Sequence, residues 1–175
     1  LEKVQEAFHH IHPIPGRFEQ IDNNHGFSVL VDYAHTDDAL SNAISAAKDF
    51  TEGRLIVVFG CGGDRDKGKR KAMGRTVLSE ADFSIITSDN PRTEDPEQII
   101  GDILQGVPAS AGEGDDYVVI INREDAIEFA ILNAGKNDLV LIAGKGHENY
   151  QVLGTQTIHF DDREIARSAL RKRNH

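Results

Sequence analysis

Five short apolar runs restrict the fold of this chain more than any other feature of its sequence. They are Phe27–Val31, Leu55–Phe59, Phe83–Thr87, Tyr117–Ile121 and Leu139–Ala143. Each run is rich in apolar β-branched residues, contains no charged side chain and is bounded by glycine or polar residues. This pattern is typical of short strands buried on both faces of a sheet. The runs therefore predict buried strands, and all five are too short to cross a bilayer.

Segments with apolar residues at three- and four-residue spacing separate these runs. They are Ala39–Phe50, Lys69–Glu80, Glu97–Leu104 and Glu124–Asn133. The spacing predicts amphipathic helices. Alternating strands and helices predict the α/β class, with a Rossmann-like, mostly parallel sheet that has helices on both faces. Three further elements are expected: a helix over Glu2–His10, a short strand near Gln156–Phe160 and a closing helix from Asp161 to about Arg171.

The composition indicates one globular domain from a reducing compartment. A chain of 175 residues with 39% hydrophobic residues can bury a core without disulfides. Its 29 acidic and 19 basic residues give a net charge of −10, which argues against nucleic acid as a partner. Cys61 is the single cysteine, so an internal disulfide is excluded and a cytoplasmic location is expected. The charged start Leu1–Lys3 does not resemble a signal peptide, and we expect no membrane partner. Because the first residue is leucine, we expect the chain to have been excised from a longer protein.

Polar loops that contain glycine or proline follow four of the predicted strands. They are Asp32–Asp37, Gly60–Arg70, Ser88–Arg92 and Gly144–Glu148. A single loop of this kind is as often a simple turn as a binding site. Parallel strands, however, bring the loops after their carboxyl ends to one edge of the sheet, where α/β proteins bind ligands. The four loops together predict a ligand site at that edge.

The stretch Gly63–Lys69 has the spacing of a phosphate-binding P-loop, with glycine, four residues, glycine and lysine. A P-loop needs serine or threonine after its lysine to hold magnesium, but Arg70 stands there. Asp64 and Asp66 would also place like charge beside the phosphates. A P-loop NTPase or kinase is therefore a disfavoured alternative. A separate alternative is a non-enzymatic Rossmann-like binding module. The basic residues from Arg65 to Lys71 are equally consistent with the solvated start of a helix.

Metal and thiol chemistry are not expected. Pairs of histidines with the four-residue helical spacing of a zinc site do not occur, and His9, His10 and His12 lie outside the four loops. Cys61 has basic neighbours, but a small residue among glycines at the end of a strand is the simpler interpretation. We therefore expect no metal ligand and assign no chemistry to Cys61.

Five motifs in order along the chain match one known family. They are Pro15–Glu19, Val31–Thr36, Phe59–Asp66, Asp89–Arg92 and Gly144–Glu148. With these motifs the chain resembles the Mur ligases over nearly its whole length, and specifically the C-terminal domain of the diaminopimelate-adding branch. One departure is Asp37, because the family usually has proline after this threonine. The Asp89–Arg92 motif speaks against the lysine-adding branch, and the full set of motifs leaves little room for the branch that attaches a preassembled tripeptide.

The resemblance implies a three-domain, ATP-dependent, amide-forming ligase of peptidoglycan synthesis. Its N-terminal domain would hold UDP-MurNAc-L-Ala-D-Glu, and its central domain would hold ATP and Mg²⁺. ATP would phosphorylate the D-glutamyl carboxylate, and the amine of meso-diaminopimelate would attack the acyl phosphate. Residues 1–175 would be the single C-terminal domain that brings in this amino acid and closes over the other two. We expect this domain to contain no catalytic residue of its own and to be inactive in isolation.

The resemblance also implies two sets of binding residues. Those expected at meso-diaminopimelate are Arg65, Asp89, Asn90, Pro91, Arg92, Gly144 and Glu148, and those expected at ATP after closure are Arg17, Asp32, Tyr33 and His35. Side-chain chemistry agrees, because guanidinium groups bind carboxylates, acid oxygens accept from ammonium, and Asn90 can do either. Lysine has no second carboxylate for Arg92, so we expect Arg92 to select diaminopimelate. Without the motif, a surface ion pair of Arg92 with Glu94 or Asp95 would be the better interpretation.

Overall fold

The computed structural model describes residues 15–173. Its main sheet contains β1 (Glu19–Gln20), β2 (Ser28–Asp32), β3 (Leu55–Phe59), β4 (Phe83–Ile86), β5 (Tyr117–Val119) and β6 (Leu139–Ala143). A separate hairpin contains β7 (Tyr150–Leu153) and β8 (Gln156–His159). The helices of this range are α1 (Asp37–Lys48), α2 (Gly68–Glu80), α3 (Pro96–Leu104), α4 (Arg123–Asn133) and α5 (Asp162–Lys172), and none of them has the length and apolar composition needed to cross a bilayer. The predicted helix over Glu2–His10 lies outside the described residues.

The main sheet has the strand order β1-β2-β6-β3-β4-β5. β1 pairs antiparallel with β2, and the other neighbouring strands pair in parallel. β6 therefore lies between β2 and β3, although it comes last of the six along the chain. The carboxyl ends of β2, β6, β3 and β4 are consecutive along one edge of the sheet. The strand order reverses there, which is where α/β sheets form a ligand-binding crevice.

Apolar side chains alternate between the two faces of this sheet. In β3, Leu55, Val57 and Phe59 pack on the face covered by α1, α2 and α3, while Ile56 and Val58 pack on the face covered by α4 and α5. All five side chains are buried, and each large apolar side chain buried in this way contributes about 1.5–3 kcal/mol. A mostly parallel sheet with helices on both faces confirms the predicted α/β class.

β5 departs from the predicted pattern of burial. The sequence predicts a buried strand over Tyr117–Ile121, but Tyr117, Val118 and Val119 are only partly buried and Ile121 is exposed. β5 pairs with β4 alone at the edge of the sheet, so fewer neighbours cover it. An apolar run indicates a strand but does not fix its place in the sheet.

Four helices begin where the sequence places a polar cap. Thr36 accepts a hydrogen bond from the Ala39 N–H at the start of α1, and Asp95 caps α3 just before Pro96. The caps of α4 and α5 are Asn122 and Asp161. Asp37 is the first residue of α1, a position where proline is tolerated and where a carboxylate interacts favourably with the helix dipole. Asp37 therefore suits the local structure.

Candidate functional site

The four polar loops surround one cavity at the carboxyl edge of the sheet, with a volume of about 460 Å³. Six of the residues expected at diaminopimelate line it: Arg65, Asp89, Asn90, Arg92, Gly144 and Glu148. Tyr33 and His35 also line it, whereas Pro91, Arg17 and Asp32 do not. The predicted convergence of the four loops is thereby confirmed, and the roles of the individual residues stay predictions.

The backbone of Arg92 is held in an unusual conformation. Its φ is +53°, in the left-handed region that a residue with a side chain seldom adopts. The hairpin of β7 and β8 stabilises it, because the Arg92 N–H donates to Val152 O at 3.1 Å and the Gly154 N–H donates to Arg92 O at 2.7 Å. The side chain of Gln151 also donates to Asp89 O at 2.6 Å. Sequence reasoning assigned no role to this hairpin, which fixes the loop that follows β4.

The guanidinium of Arg92 has donors left for a ligand. Nη1 donates to Gly63 O at 2.7 Å and lies 3.4 Å from Asn90 O. Within residues 15–173, its other nitrogens have no hydrogen-bond partner, and no carboxylate forms an ion pair with it. Glu94 instead pairs with Arg70 at 2.8 Å and with Lys67 at 3.0 Å. The alternative of an Arg92 ion pair with Glu94 or Asp95 is therefore wrong.

A buried polar network lies beneath the cavity. The ammonium Nζ of Lys145 lies 3.2 Å from Asn90 Oδ1 and 3.4 Å from Glu148 Oε2. Asn90 Nδ2 donates to the same Glu148 oxygen at 3.1 Å. Sequence reasoning did not select Lys145, although it lies inside the Gly144–Glu148 motif. Its position between two glycines directly after a buried strand was the available signal, but a motif does not reveal that a lysine is buried.

The carboxylate of Asp89 is almost completely buried beside Gly144. Burial raises the pKa of Asp89, and the nearby charges of Arg123 and Lys145 partly offset that rise. Gly144 has a φ of +118°, and a Cβ built on it would lie 2.8 Å from Asp89 Oδ2. Glycine at this position therefore allows both the turn after β6 and the close approach of the Asp89 carboxylate.

The residues expected at ATP form a second cluster that adjoins the cavity and shares Tyr33 and His35 with its lining. The guanidinium carbon of Arg17 lies 4.9 Å from the centroid of the Tyr33 ring, and the His35 ring packs edge-to-face on Tyr33 at 4.7 Å. His147, which sequence reasoning did not select, places its ring 5.3 Å from that of Tyr33. Such a group offers aromatic faces for a base and a guanidinium for a phosphate.

Asp32 differs from the other residues expected at ATP. Its Oδ2 accepts from the Phe18 N–H at 2.9 Å, its Oδ1 accepts from the Ala34 N–H at 2.8 Å, and its side chain is buried. The two bonds hold the backbone directly after Arg17 and directly after Tyr33. The geometry thus gives Asp32 a supporting role, and its direct contact with ATP stays a prediction.

The stretch Gly63–Lys69 does not form an open phosphate cradle. A Cβ on Gly63 would lie 1.9 Å from Pro91 O, so the stretch packs against the loop after β4. Arg70 is 1% exposed and bonds to Glu94 at 2.8 Å and to Asp102 at 2.9 Å. The expectation of a solvated basic helix start is wrong for Arg70, since its guanidinium joins α2 to the loop before α3 and to α3 itself. The P-loop alternative is not favoured.

Cys61 and the side chains that could bind a metal can be located among the described residues. Within residues 15–173, no group of three or more His, Cys, Asp and Glu side chains is arranged to hold a metal ion. Cys61 is buried, with its Sγ 3.5 Å from Met73 Sδ. Burial raises the pKa of the Cys61 thiol to about 12, which keeps it protonated at neutral pH.

Known proteins with similar sequences are ligases. The family described as Mur ligase, glutamate ligase domain, matches residues 16–146. UDP-N-acetylmuramoyl-L-alanyl-D-glutamate--2,6-diaminopimelate ligase 1 of Clostridium acetobutylicum is 51% identical over 167 residues, which cover 94% of this chain and 34% of the relative. The similarly named ligase of Synechocystis sp. is 55% identical over 159 residues, which cover 90% of this chain and 31% of the relative. The chain thus spans about a third of the length of these relatives.

Solved structures give the same result. A structure of UDP-N-acetylmuramoyl-L-alanyl-D-glutamate--2,6-diaminopimelate ligase matches with a TM-score of 0.86 at 45% identity, over 94% of this chain and 33% of that one. UDP-N-acetylmuramate-alanine ligase of Thermotoga maritima matches with a TM-score of 0.63 at 20% identity, over 98% of this chain and 33% of that one, which shows a shared fold alone. With the match over residues 16–146, these findings show that the chain belongs to the Mur ligase family.

Proposed function

We propose that this chain is the amino-acid-binding domain of an ATP-dependent ligase that adds meso-diaminopimelate to UDP-MurNAc-L-Ala-D-Glu. Relatives about half identical to this chain carry that activity in their names, and the chain spans about a third of their length. Residues 1–175 form one domain of the enzyme, and the N-terminal and central domains are its partners. The enzyme works in the cytoplasm on peptidoglycan precursors, without nucleic acid or membrane.

The observation that carries this proposal is the set of charges in one cavity. Arg65 and Arg92 supply guanidinium groups, and Asp89 and Glu148 supply carboxylates. Each end of meso-diaminopimelate has one carboxylate and one ammonium, so its distal end needs both kinds of partner. Guanidinium binds a carboxylate through two parallel hydrogen bonds, and a carboxylate accepts from an ammonium. The cavity therefore fits a zwitterionic head group.

These residues act by placing the nucleophile. When the distal end of the amino acid is held in the cavity, the amine at its other end is left to attack the activated substrate. Fixing two reactants in line lowers the barrier without a protein nucleophile, and exclusion of water protects an activated carboxylate from hydrolysis. No side chain of this domain is assigned a covalent step.

The cluster beside the cavity suits the nucleotide side of the reaction. ATP supplies the phosphoryl group that activates the D-glutamyl carboxylate, and the central domain holds it with Mg²⁺. Arg17, Tyr33 and His35 would contact the nucleotide when the domains close, and His147 extends their aromatic surface. Asp32 supports this cluster through the backbone of Phe18 and Ala34.

Substitution of Arg92 in the full-length ligase tests the proposal. With meso-diaminopimelate, we expect Arg92→Ala to lower kcat/KM by at least about thirtyfold. The substitution leaves the distal carboxylate of the bound amino acid without its partner, and an unpaired buried charge costs about 2 kcal/mol or more. Turnover with L-lysine, which has no distal carboxylate, should change little. The ratio of kcat/KM for meso-diaminopimelate to kcat/KM for L-lysine, measured by phosphate release, should therefore fall by about the same factor.

The matched control is Arg75→Ala, which removes an exposed guanidinium from α2 outside the cavity. It should leave the discrimination unchanged. Normal selection of diaminopimelate over lysine by Arg92→Ala would show that the assignment of Arg92 is wrong. Efficient use of lysine or of a preassembled tripeptide by the unsubstituted enzyme would reject the proposed substrate.

A further inference from the structure

Lys145 is a completely buried lysine at the centre of the site, with an exposed fraction of 0%. A buried ammonium is strongly destabilising unless it is paired and hydrogen-bonded. Its Nζ lies 3.2 Å from Asn90 Oδ1, 3.4 Å from Glu148 Oε2 and 5.5 Å from the centroid of the Tyr150 ring. Because Lys145 is fully covered, it acts on a ligand in the cavity only through these neighbours.

The first neighbour, Asn90, is fixed in one orientation. Its Oδ1 accepts from Lys145 Nζ and from the Val152 N–H, at 3.2 Å and 3.0 Å. A flipped amide would place its NH2 group against two donors, so the side-chain nitrogen must face Glu148. From the sequence alone, Asn90 could donate or accept. In the structure it can only donate towards the cavity.

The second neighbour, Glu148, is held through one oxygen. Its Oε2 accepts from Asn90 Nδ2 at 3.1 Å and lies 3.4 Å from Lys145 Nζ. Its Oε1 has no hydrogen-bond partner within residues 15–173, and Glu148 lines the cavity. The carboxylate is therefore oriented by one oxygen and offers the other to a ligand.

Charge gives Lys145 a second effect on the site. Burial raises the pKa of Asp89, and the charges of Asp162 and Glu148 raise it further, whereas those of Arg123 and Lys145 lower it. The charged groups that act on Asp89 include Arg123 at the start of α4, Asp162 at the start of α5, and Lys145 and Glu148 after β6, and the titratable side chains of Tyr33 and Cys61 also interact with its charge. The charge of Lys145 therefore opposes the rise in the pKa of Asp89 that burial causes.

We propose that Lys145 is a positioning residue of the amino-acid site, which orients Asn90 and Glu148 and balances the charge of the carboxylates that receive the distal ammonium. It does so without touching the substrate. The inference rests on the proposed function and adds to it a residue that determines how the amino acid is bound.

Kinetics of the full-length ligase test this role. Lys145→Met keeps an unbranched, flexible side chain that is one atom shorter, and it removes the charge and the donors. We expect the KM for meso-diaminopimelate to rise by about tenfold to a hundredfold, and the KM values for ATP and UDP-MurNAc-L-Ala-D-Glu to change by less than about twofold. The acid limb of kcat/KM for diaminopimelate should move to higher pH, because loss of the neighbouring cation raises the pKa of Asp89.

Two further variants make the result specific. Lys172→Met removes a surface lysine that pairs with Glu128 at 2.7 Å, and it should change neither KM nor the pH profile. Asn90→Ala should raise the KM for meso-diaminopimelate by a smaller factor in the Lys145→Met variant than in the unsubstituted enzyme, because both changes remove the same interaction. If Lys145→Met does not fold, Lys145→Gln, which keeps an amide donor for Asn90, takes its place. It too should raise the KM for meso-diaminopimelate and leave the KM values for ATP and UDP-MurNAc-L-Ala-D-Glu nearly unchanged.

The outcomes separate this inference from the function on which it rests. An unsubstituted enzyme without diaminopimelate-dependent turnover would overturn the proposed function. An active enzyme whose Lys145 variants keep their KM and pH profile would overturn the positioning role alone. Equal losses for all three substrates with a lower melting temperature would show a purely structural lysine and would also overturn it.

Discussion

Gly144 adopts a φ of +118° and lies against the Asp89 carboxylate. Replacement by alanine places a methyl group in that contact and puts a side chain in a backbone conformation that only glycine adopts readily. We expect Gly144→Ala to lower the free energy of unfolding by about 1–3 kcal/mol. The same change should raise the KM for diaminopimelate, because Asp89 must shift. Urea unfolding and steady-state kinetics measure the two effects.

Gly114 provides the matched control for this substitution. It has a φ of +94°, but a Cβ at this position would have no neighbour within 4 Å, and it lies outside the cavity. Gly114→Ala should therefore show only the backbone effect, about 1–2 kcal/mol, with an unchanged KM. Equal behaviour of the two variants would contradict a specific contact between Gly144 and Asp89.

Motifs locate the residues of the site better than they define the task of each residue. The sequence predicts that Arg92 and Glu148 meet in one site, because both follow parallel strands, and both line the cavity. It does not distinguish Asp32, whose carboxylate is engaged by backbone N–H groups, from Arg17, whose guanidinium stacks on Tyr33. That difference depends on hydrogen bonds between distant segments, which spacing along the chain does not contain.

At the scale of elements, the ion pairs of Arg70 connect α2 to α3. Its guanidinium bonds to Asp102 within α3 and to Glu94 in the loop before it. Hydrogen bonds from Arg70, the Asp64 N–H and Lys67 lower the pKa of Glu94 from 4.5 to about 2. A depressed pKa means that the ionised carboxylate stabilises the folded state above pH 4.5 and that this contribution is lost as the pH falls towards 2.

Glu94→Gln tests this connection. At pH 7 we expect the variant to unfold at a lower urea concentration than the unsubstituted chain, and we expect the difference to shrink steadily below about pH 4.5. Glu97→Gln, which changes an exposed carboxylate of α3, is the control and should show a much smaller difference at every pH. A difference between Glu94→Gln and the parent that persists unchanged at pH 2 would exclude the ionised pair as its cause.

The elements themselves follow from the sequence to different degrees. β3 and β6 are predicted with their observed bounds, since continuous apolar runs identify strands that are buried on both faces. β1 is only two residues long and β7 is partly exposed, so neither has an apolar pattern strong enough to predict. The hairpin containing β7 matters for the site because it holds the backbone of Arg92. This contact joins segments that are distant along the chain, so no local sequence pattern predicts it.

At the scale of the whole molecule, the cavity is a surface feature at one edge of a complete α/β core. Catalysis by the proposed enzyme requires this edge to close over two other substrates, which positions the amine and excludes water. We therefore expect the 175-residue chain alone to show no ligase or ATPase turnover. It should bind meso-diaminopimelate at least about tenfold more weakly than the full-length enzyme saturated with its other substrates, since closure completes the site.

Calorimetry on the isolated chain and on the full-length enzyme measures this difference. Magnesium-ATP should give no heat of tight binding with the isolated chain, because the stretch Gly63–Lys69 packs against Pro91 and Arg70 occupies the position of a magnesium-binding hydroxyl. Tight binding of magnesium-ATP that is abolished by Lys69→Ala would instead identify a self-contained nucleotide site. Binding of diaminopimelate with equal affinity by the chain and by the whole enzyme would show that the cavity is already complete, and that closure serves only to align the amine.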